Sequence, residues 1–338
     1  PMKILYGIQG TGHGHISRAR EILPLLTNYA DIDILISGYN CKMELEDFRV
    51  MRRRGISFEY DAQGSVSVLD TALNIKPIRF LQDVQNLSLD EYDLVISDYE
   101  PIVSWASVTS KTPCIGLSHQ AAFLSDKSPR PEKKSLVAEQ VMRHFAPCTT
   151  PIGFHFKRYD TFIEPPIIRQ QILDLNPVTG DHITVYLPAF DHETLASVFS
   201  TVSNVRWEIF SPFCDTPSTK GNITVNPVGN IPFLKSFESS IGVVTSGGFE
   251  TCAEAMYMGK KLMVIPIKNQ YEQLCNAAAL KEMGIPVIYN WGADVKKTVS
   301  EWIDEPEVVM LPEKADTPAL VKKLVAMAGR EIRKAVPA

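Results

Sequence analysis

The chain has 338 residues, enough for about two domains that each bury a core. With 45% hydrophobic and 22% charged residues it has the make-up of an ordinary globular protein, which excludes a disordered or fibrous chain. Asp plus Glu number 39 against 34 for Lys plus Arg, a formal charge of -5 that argues against a nucleic-acid binder, though not against a local basic patch.

The first strand is expected over residues 3–8. Its apolar run Ile4-Leu5-Tyr6 meets glycine almost at once, too short for the core of a signal peptide. No apolar stretch approaches the roughly 18 residues of a membrane span. The six cysteines at 41, 114, 148, 214, 252 and 275 form no Cys-x-x-Cys pair, so neither a disulfide framework nor structural zinc is expected. The expectation is a cytoplasmic protein.

After the first strand comes Gln9-Gly10-Thr11-Gly12-His13-Gly14-His15-Ile16-Ser17-Arg18. Glycines there permit a tight turn and close approach of a ligand to backbone. A dinucleotide fingerprint would need a third glycine where His15 stands, and an acid after the second strand, where Ser37-Gly38-Tyr39-Asn40 stands. A dehydrogenase is therefore set aside. His13 and His15 occupy the carboxyl end of a strand, where open α/β sheets bind ligands, and imidazole takes a proton near neutral pH. The plainer alternative is that they cap the following helix.

Further strands are expected at 32–37, 93–98 and 114–118, alternating with helices at 17–29, 78–87, 103–110 and 135–145. Continuous apolar runs separated by helical crossovers mark buried parallel strands. Asp31-Ile32-Asp33 imitates a metal-binding Asp-x-Asp but opens a strand, so it is read as strand entry and no metal site is expected. Asp98-Tyr99-Glu100-Pro101 ends a strand. Glu100 could bind acceptor hydroxyls, compete with His15 as base, or simply supply acidity at a helix start. His119 ends the next strand and could point into a cleft or serve the core. Arg18 could meet an anionic acceptor. The clusters 52–54 and 127–134 are read as solvated surface near helix ends or loops, with an anionic lipid headgroup as the alternative.

Pro- and Gly-marked stretches at 162–168 and 176–181 read as a linker, placing a boundary between 160 and 182. The alternation then restarts, with strands at 183–187, 205–211, 241–246, 262–267 and 287–289. Helices are expected at 192–202, 249–258, 271–283, 294–303 and 317–333. Two such series imply an α/β protein of two doubly wound, Rossmann-like domains facing a cleft. The second glycine loop is Ser246-Gly247-Gly248-Phe249-Glu250-Thr251, opening a helix. Free N–H groups at Gly247, Gly248 and Phe249 suit a diphosphate, with Ser246 and Thr251 adding hydroxyls. Glu254 lies two turns along the same face, where a carboxylate could accept from a ribose.

These residues carry a resemblance. From Val244 to Ala277 the chain resembles the donor-site signature of UDP-glycosyltransferases with the GT-B fold: Ser246, Gly247, Gly248, Thr251, Glu254, Ala255, Gly259, Pro266, Glu272, Gln273, Asn276 and Ala277. Gly14-His15-Ile16 resembles the opening of the same superfamily, including the peptidoglycan N-acetylglucosaminyltransferases, and Val95-Ile96-Ser97-Asp98 the strand end whose Asp orients that His. Three features depart: Ser246 stands where His is usual, Leu187-Pro188-Ala189-Phe190 replaces a Gly-Ser loop, and Glu272 replaces Asp. The resemblance implies an acceptor domain over 1–165, a donor domain over 166–316, and a last helix, 317–335, that packs back on the first. It implies a glycosyltransferase that moves a sugar from a nucleotide-sugar, UDP-linked, to a hydroxyl by inverting displacement, without metal or cofactor. His15 is then the base and Asp98 its orienter. Glu254 holds the ribose, Glu272 and Gln273 the sugar, and the loop 228–233 with Phe233 the nucleotide base. His13, Arg18, Glu100 and His119 remain for the acceptor. The acceptor itself stays unnamed, a cell-envelope glycan or lipid being the class the peptidoglycan relatives suggest, with at most peripheral contact with the inner face of the membrane. A nucleotide-sugar epimerase on the same fold and a non-catalytic nucleotide-sugar binder are the alternatives.

Overall fold

A computed structural model of the chain describes residues 2–38, 48–56, 77–292 and 294–335. The first strand, β1 (Met2–Gln9), leads into α1 (His13–Leu26), β2 (Ala30–Ser37) and β3 (Arg49–Arg53). After α2 (Pro77–Gln85) come β4 (Leu94–Asp98), α3 (Pro101–Ser110) and β5 (Cys114–Ser118). A 3-10 turn (Gln120–Leu124), α4 (Leu136–His144), β6 (Thr150–Phe154) and β7 (Ile163–Glu164) complete this part. These seven strands form one sheet in the order β3-β2-β1-β4-β5-β6-β7, every neighbouring pair parallel. Alternation along β1 explains its double burial. Ile4, Tyr6 and Ile8 pack with Ile22, Leu23 and Leu26 of α1, whereas Leu5 packs with Val95 and Val103 on the other face.

A short α5 (Gln170–Leu173) leads to a second sheet. Its elements are β8 (His182–Tyr186), α6 (His192–Phe199), β9 (Arg206–Ser211), β10 (Ser218–Lys220), β11 (Ile223–Pro227), α7 (Asn230–Ser239), β12 (Gly242–Thr245), α8 (Phe249–Tyr257) and β13 (Lys261–Val264). The order is β10-β11-β9-β8-β12-β13, parallel except for the edge hairpin β10–β11. One face is anchored by Trp207, fully buried and stacked on Phe199 with ring centroids 4.3 Å apart. Burying a side chain of that size is worth about 3 kcal/mol. Two neighbouring lysines finish helices from the sheet. Lys260 Nζ donates to the carbonyls of Val178, Glu238 and Ser240, and Lys261 Nζ to those of Trp302, Ile303 and Glu305. Lys261 thus satisfies carbonyls at the end of the helix Val295–Asp304, and Lys260 ties the end of α7 to the loop at Val178.

The chain continues through α9 (Tyr271–Glu282) and α10 (Val295–Asp304) to α11 (Thr317–Ala335), which packs along α1 with Leu320, Val321, Leu324 and Ala328 buried. One apolar cluster joins the two sheets, from Ile8 and Phe154 to Phe249 and Cys252.

Several expectations need correction. The stretch 162–168 is not all linker, because Ile163 and Glu164 form the buried edge strand β7 beside β6. Arg52 and Arg53 lie on β3 rather than at a helix end, and the exposure of this edge strand explains its lack of an apolar run. Residues 287–289 supply only a single bridge, Val287 to Val264. Asp33 of the Asp-x-Asp pair accepts from Tyr92 at 2.7 Å and pairs with Lys3 at 3.6 Å, as strand-entry chemistry. Among the described residues, no group of three or more His, Cys, Asp or Glu side chains is placed to hold a metal ion, and no helix is long and apolar enough to cross a membrane. Tyr39, Asn40, Cys41 and the stretch 61–74 lie outside the described residues.

Candidate active site

Parallel register builds the first half of the site. Ile8 is paired with Asp98, so the end of β4 lies beside the turn that opens α1. That helix begins at His13, just after Gly12, so His13, Gly14 and His15 form its first turn rather than a loop. His15 Nδ1 lies 2.7 Å from Asp98 Oδ1. An ionised carboxylate only accepts, which fixes the proton on Nδ1 and leaves the Nε2 lone pair as the basic atom. Arg18, one helical turn on, grips the same carboxylate through Nε (2.8 Å) and Nη2 (2.7 Å). Asp98 is fully buried, which alone would raise its pKa. The charge of Arg18 and the hydrogen bonds from Arg18 and His15 outweigh burial and hold the carboxyl below its usual range. Tyr99 takes a left-handed backbone at φ 54, and its ring lies parallel to that of His15 with centroids 6.4 Å apart. His13 opens the helix, and its side chain lies outside the described residues.

The second half is the turn between β12 and α8. Gly247 has φ +87, and a Cβ there would meet Val264 Cγ1 at 2.9 Å, so the tight turn requires glycine. Gly248 caps α8 without any side-chain hydrogen bond, and the space beside it is open. The first N–H groups of α8 are thus presented at a positive dipole end. Asn276 Nδ2 donates to the Gly247 carbonyl at 3.1 Å. Gln273 spans Ile267 N–H at 2.9 Å and the Ser246 hydroxyl at 3.4 Å, so this amide braces the loop. Phe233, half-buried at the start of α7, packs against Tyr186, Phe210 and Phe237, with Val228 and Ile231 exposed beside it. Thr251 is half-buried in the first turn of α8.

The halves touch. Arg18 Nη1 reaches Glu250 Oε1 at 3.2 Å, and a Cβ on Gly14 would fall 2.5 Å from the Glu250 carboxylate. Gln120 Nε2 donates to Glu272 Oε2 at 2.9 Å, His119 Nε2 lies 2.8 Å from Asn276 Oδ1, and the Phe249 ring stacks on His119 at 4.0 Å.

Four residues sit in surroundings other than those named for them. Arg18, 4% exposed, spends its guanidinium on Asp98 and Glu250, and His119, 2% exposed, spends its ring nitrogens on Phe154 and Asn276, so neither lies open to an acceptor. Glu100 is fully buried, and its carboxylate oxygens accept from the N–H groups of Ile102 (3.0 Å) and Val103 (2.7 Å). It caps α3 instead of facing an acceptor, because Pro101 starts the helix immediately after it. Glu254 points from α8 as anticipated, but both of its oxygens are held by Arg169, at 2.7 and 3.1 Å. Arg169, Glu250, Gln120 and Asn276 are site residues that sequence reasoning left out of the candidate set. Only Asn276 carried a signal, as part of the signature run. In the cluster 127–134, Lys127 pairs with Asp160 and Arg130 with Glu139, so part of that charge is structural.

Burial pushes the Glu100 carboxyl up to about 7, against a partial lowering by the two N–H groups. Its stabilising effect is therefore complete below pH 4.5, where folded and unfolded chains are both protonated. It is lost as pH rises to about 7, because only the unfolded chain ionises freely across that window. Glu100→Gln removes the titration. Chemical denaturation should show the variant gaining about 3 kcal/mol on the parent between pH 4.5 and pH 8. A difference that stays constant over that range would refute this assignment of the buried charge.

Comparison with known proteins adds to this geometry. A family model described as "Glycosyl transferase family 1" matches residues 2–303. No curated protein sequence matches the chain. Among solved structures, the glycotransferase of kitacinnamycin is similar at TM-score 0.61 and 14% identity, covering 99% of this chain and 97% of that one. MurG of Acinetobacter baumannii is similar at TM-score 0.60 and 10% identity, covering 97% and 100%. UGT89C1 of Arabidopsis thaliana, in complex with UDP, is similar at 0.58 and 11%, covering 99% and 98%. The shared architecture is the GT-B fold.

Proposed function

The chain belongs to glycosyl transferase family 1 and is a glycosyltransferase, and from that premise we propose that it transfers a sugar from a UDP-sugar to an acceptor hydroxyl with inversion. The observation that carries this reading is the approach of two unlike ends: a His15–Asp98 pair on one sheet and the uncapped start of α8 on the other, joined through Arg18 and Glu250.

In this reading residues 1–165 bring the acceptor and residues 166–316 the donor. His15 Nε2 takes the proton of the acceptor hydroxyl as its oxygen attacks the anomeric carbon, and Asp98 stabilises the imidazolium that forms. The bond to the diphosphate breaks on the opposite face. Charge gathering on the leaving oxygen meets the N–H groups of Gly247, Gly248 and Phe249 and the hydroxyls of Ser246 and Thr251. Glu272 and Gln273 address sugar hydroxyls, and Phe233 with the apolar Val228 and Ile231 flanks the uracil. Ribose hydroxyls would compete with Arg169 for Glu254, so donor binding frees Arg169 for a second role near the phosphates.

A panel of nucleotide-sugars screened by thermal shift, followed by UDP-release assays with acceptor pools, tests the reading. Uridine nucleotides at about a hundred times Kd should stabilise the fold by about 2.7 kcal/mol. No response to any uridine nucleotide would overturn the donor assignment, and an isomerised UDP-sugar without UDP release would make the protein an epimerase instead.

A further inference from the structure

Beside this machinery, His119 poses a hydrogen-bonding problem with one solution. Its Nδ1 lies 2.8 Å from the carbonyl oxygen of Phe154, and its Nε2 lies 2.8 Å from Asn276 Oδ1. A carbonyl oxygen only accepts, so Nδ1 donates. The Asn276 amide is oriented by its other contact, Nδ2 to the Gly247 carbonyl at 3.1 Å. Turning the amide over would set two oxygens against each other at that distance. Nε2 therefore donates as well, and a ring that donates from both nitrogens is an imidazolium.

The surroundings suit a cation. The Phe249 ring lies parallel to the imidazole, 5° apart in tilt and 4.0 Å between centroids, offering its negative face. Glu272 Oε1 is 3.9 Å from Nε2. The other titratable neighbour on the sheet side is His155, edge-on at 5.3 Å, whose Nδ1 accepts from the Phe156 N–H. Burial, then the nearby His119 and Arg130, hold His155 well below the usual imidazole range, so it stays neutral. Arg130 lies against the Phe123 ring, 5.0 Å from its centroid, and that ring in turn meets His119 edge-on. With 2% of its surface exposed, His119 relies on these partners rather than on water to hold a charge.

We infer that His119 is a positioning residue that, as an imidazolium, ties Asn276 and through it the Gly247 carbonyl to the first sheet. One proton then couples closure of the two halves to the seating of the donor loop. The inference rests on reading the Gly247–Phe249 turn as the diphosphate site. Without the Nε2 proton, Nε2 and Asn276 Oδ1 would repel, and the loop that seats the donor would lose its tie to the first sheet. The proposed base His15 acts on turnover instead, so the two histidines act on different kinetic constants.

Histidine-selective 15N labelling of the whole protein reads the ring directly. The His119 signal, identified by contacts with Phe249 ring protons and by its loss in His119→Gln, should show two protonated nitrogens under the conditions in which UDP binds. UDP affinity and donor KM should weaken about tenfold in His119→Gln, with kcat at saturating donor changing less than twofold. A His119 ring with a single proton in the UDP-binding protein, or an unchanged UDP affinity in the variant, would overturn the inference. If His119→Gln does not fold, the wild-type ring signal still decides. A charged ring in a protein that binds no uridine nucleotide at any pH would instead defeat the donor reading and leave the tie between His119 and Gly247 standing.

Discussion

Replacing His15 by alanine should lower turnover by about 10²- to 10⁴-fold, the usual worth of a positioned general base, while UDP affinity changes little. The asymmetry follows from where the side chain stands. His15 is held by Asp98 at the end of the first sheet, whereas the proposed diphosphate contacts all come from the turn after β12. Asp98→Asn should also lose most activity, because an amide lets the ring settle with its proton on the wrong nitrogen. UDP-release rates with saturating donor, set beside UDP affinities measured by calorimetry, check both. Near-parental turnover in His15→Ala would remove it from the base role, and an equal loss of UDP affinity would point to collapse of the cleft.

Arg18→Met should destabilise the fold by about 3–5 kcal/mol, the cost of leaving a buried charge without its partner. Asp98 has no exposed surface, and Arg18 supplies two of the hydrogen bonds to its carboxylate. The double variant Arg18→Met, Asp98→Asn should recover much of that stability, since an amide carries no charge to strand, yet remain inactive. Denaturant unfolding and turnover, measured across the four combinations, separate the structural part of the pair from its chemical part. Additive losses of stability would mean that Arg18 and Asp98 act independently, contrary to their bidentate geometry.

Much of the architecture could be read from the chain, for a physical reason. Central parallel strands are buried on both faces, so β1, β4 and β5 stand out as continuous apolar runs. Edge elements lack that signal: β3 carries exposed arginines, β7 is two residues long, and β10 is polar and exposed. The site divides in the same way. The glycine turns, His15 and Asp98 are locally marked, and their roles came with the resemblance. Glu250, Arg169 and Gln120 act through contacts spanning 232, 85 and 152 residues, which no local pattern encodes. For Glu100 the helix-start alternative is the one the structure bears out, and Pro101 carries the signal, since proline at the first position of a helix makes the preceding acid its cap.

The chain passes between its sheets twice, once between β7 and β8 and again between α10 and α11. Arg158 and Glu164, just before the first passage, are fastened to Glu313 and Lys323 around the second. The two crossings are thus pinned to each other by ion pairs as well as by the peptide chain, so a double strap joins the sheets in addition to the contacts made by Arg18, Gln120 and His119.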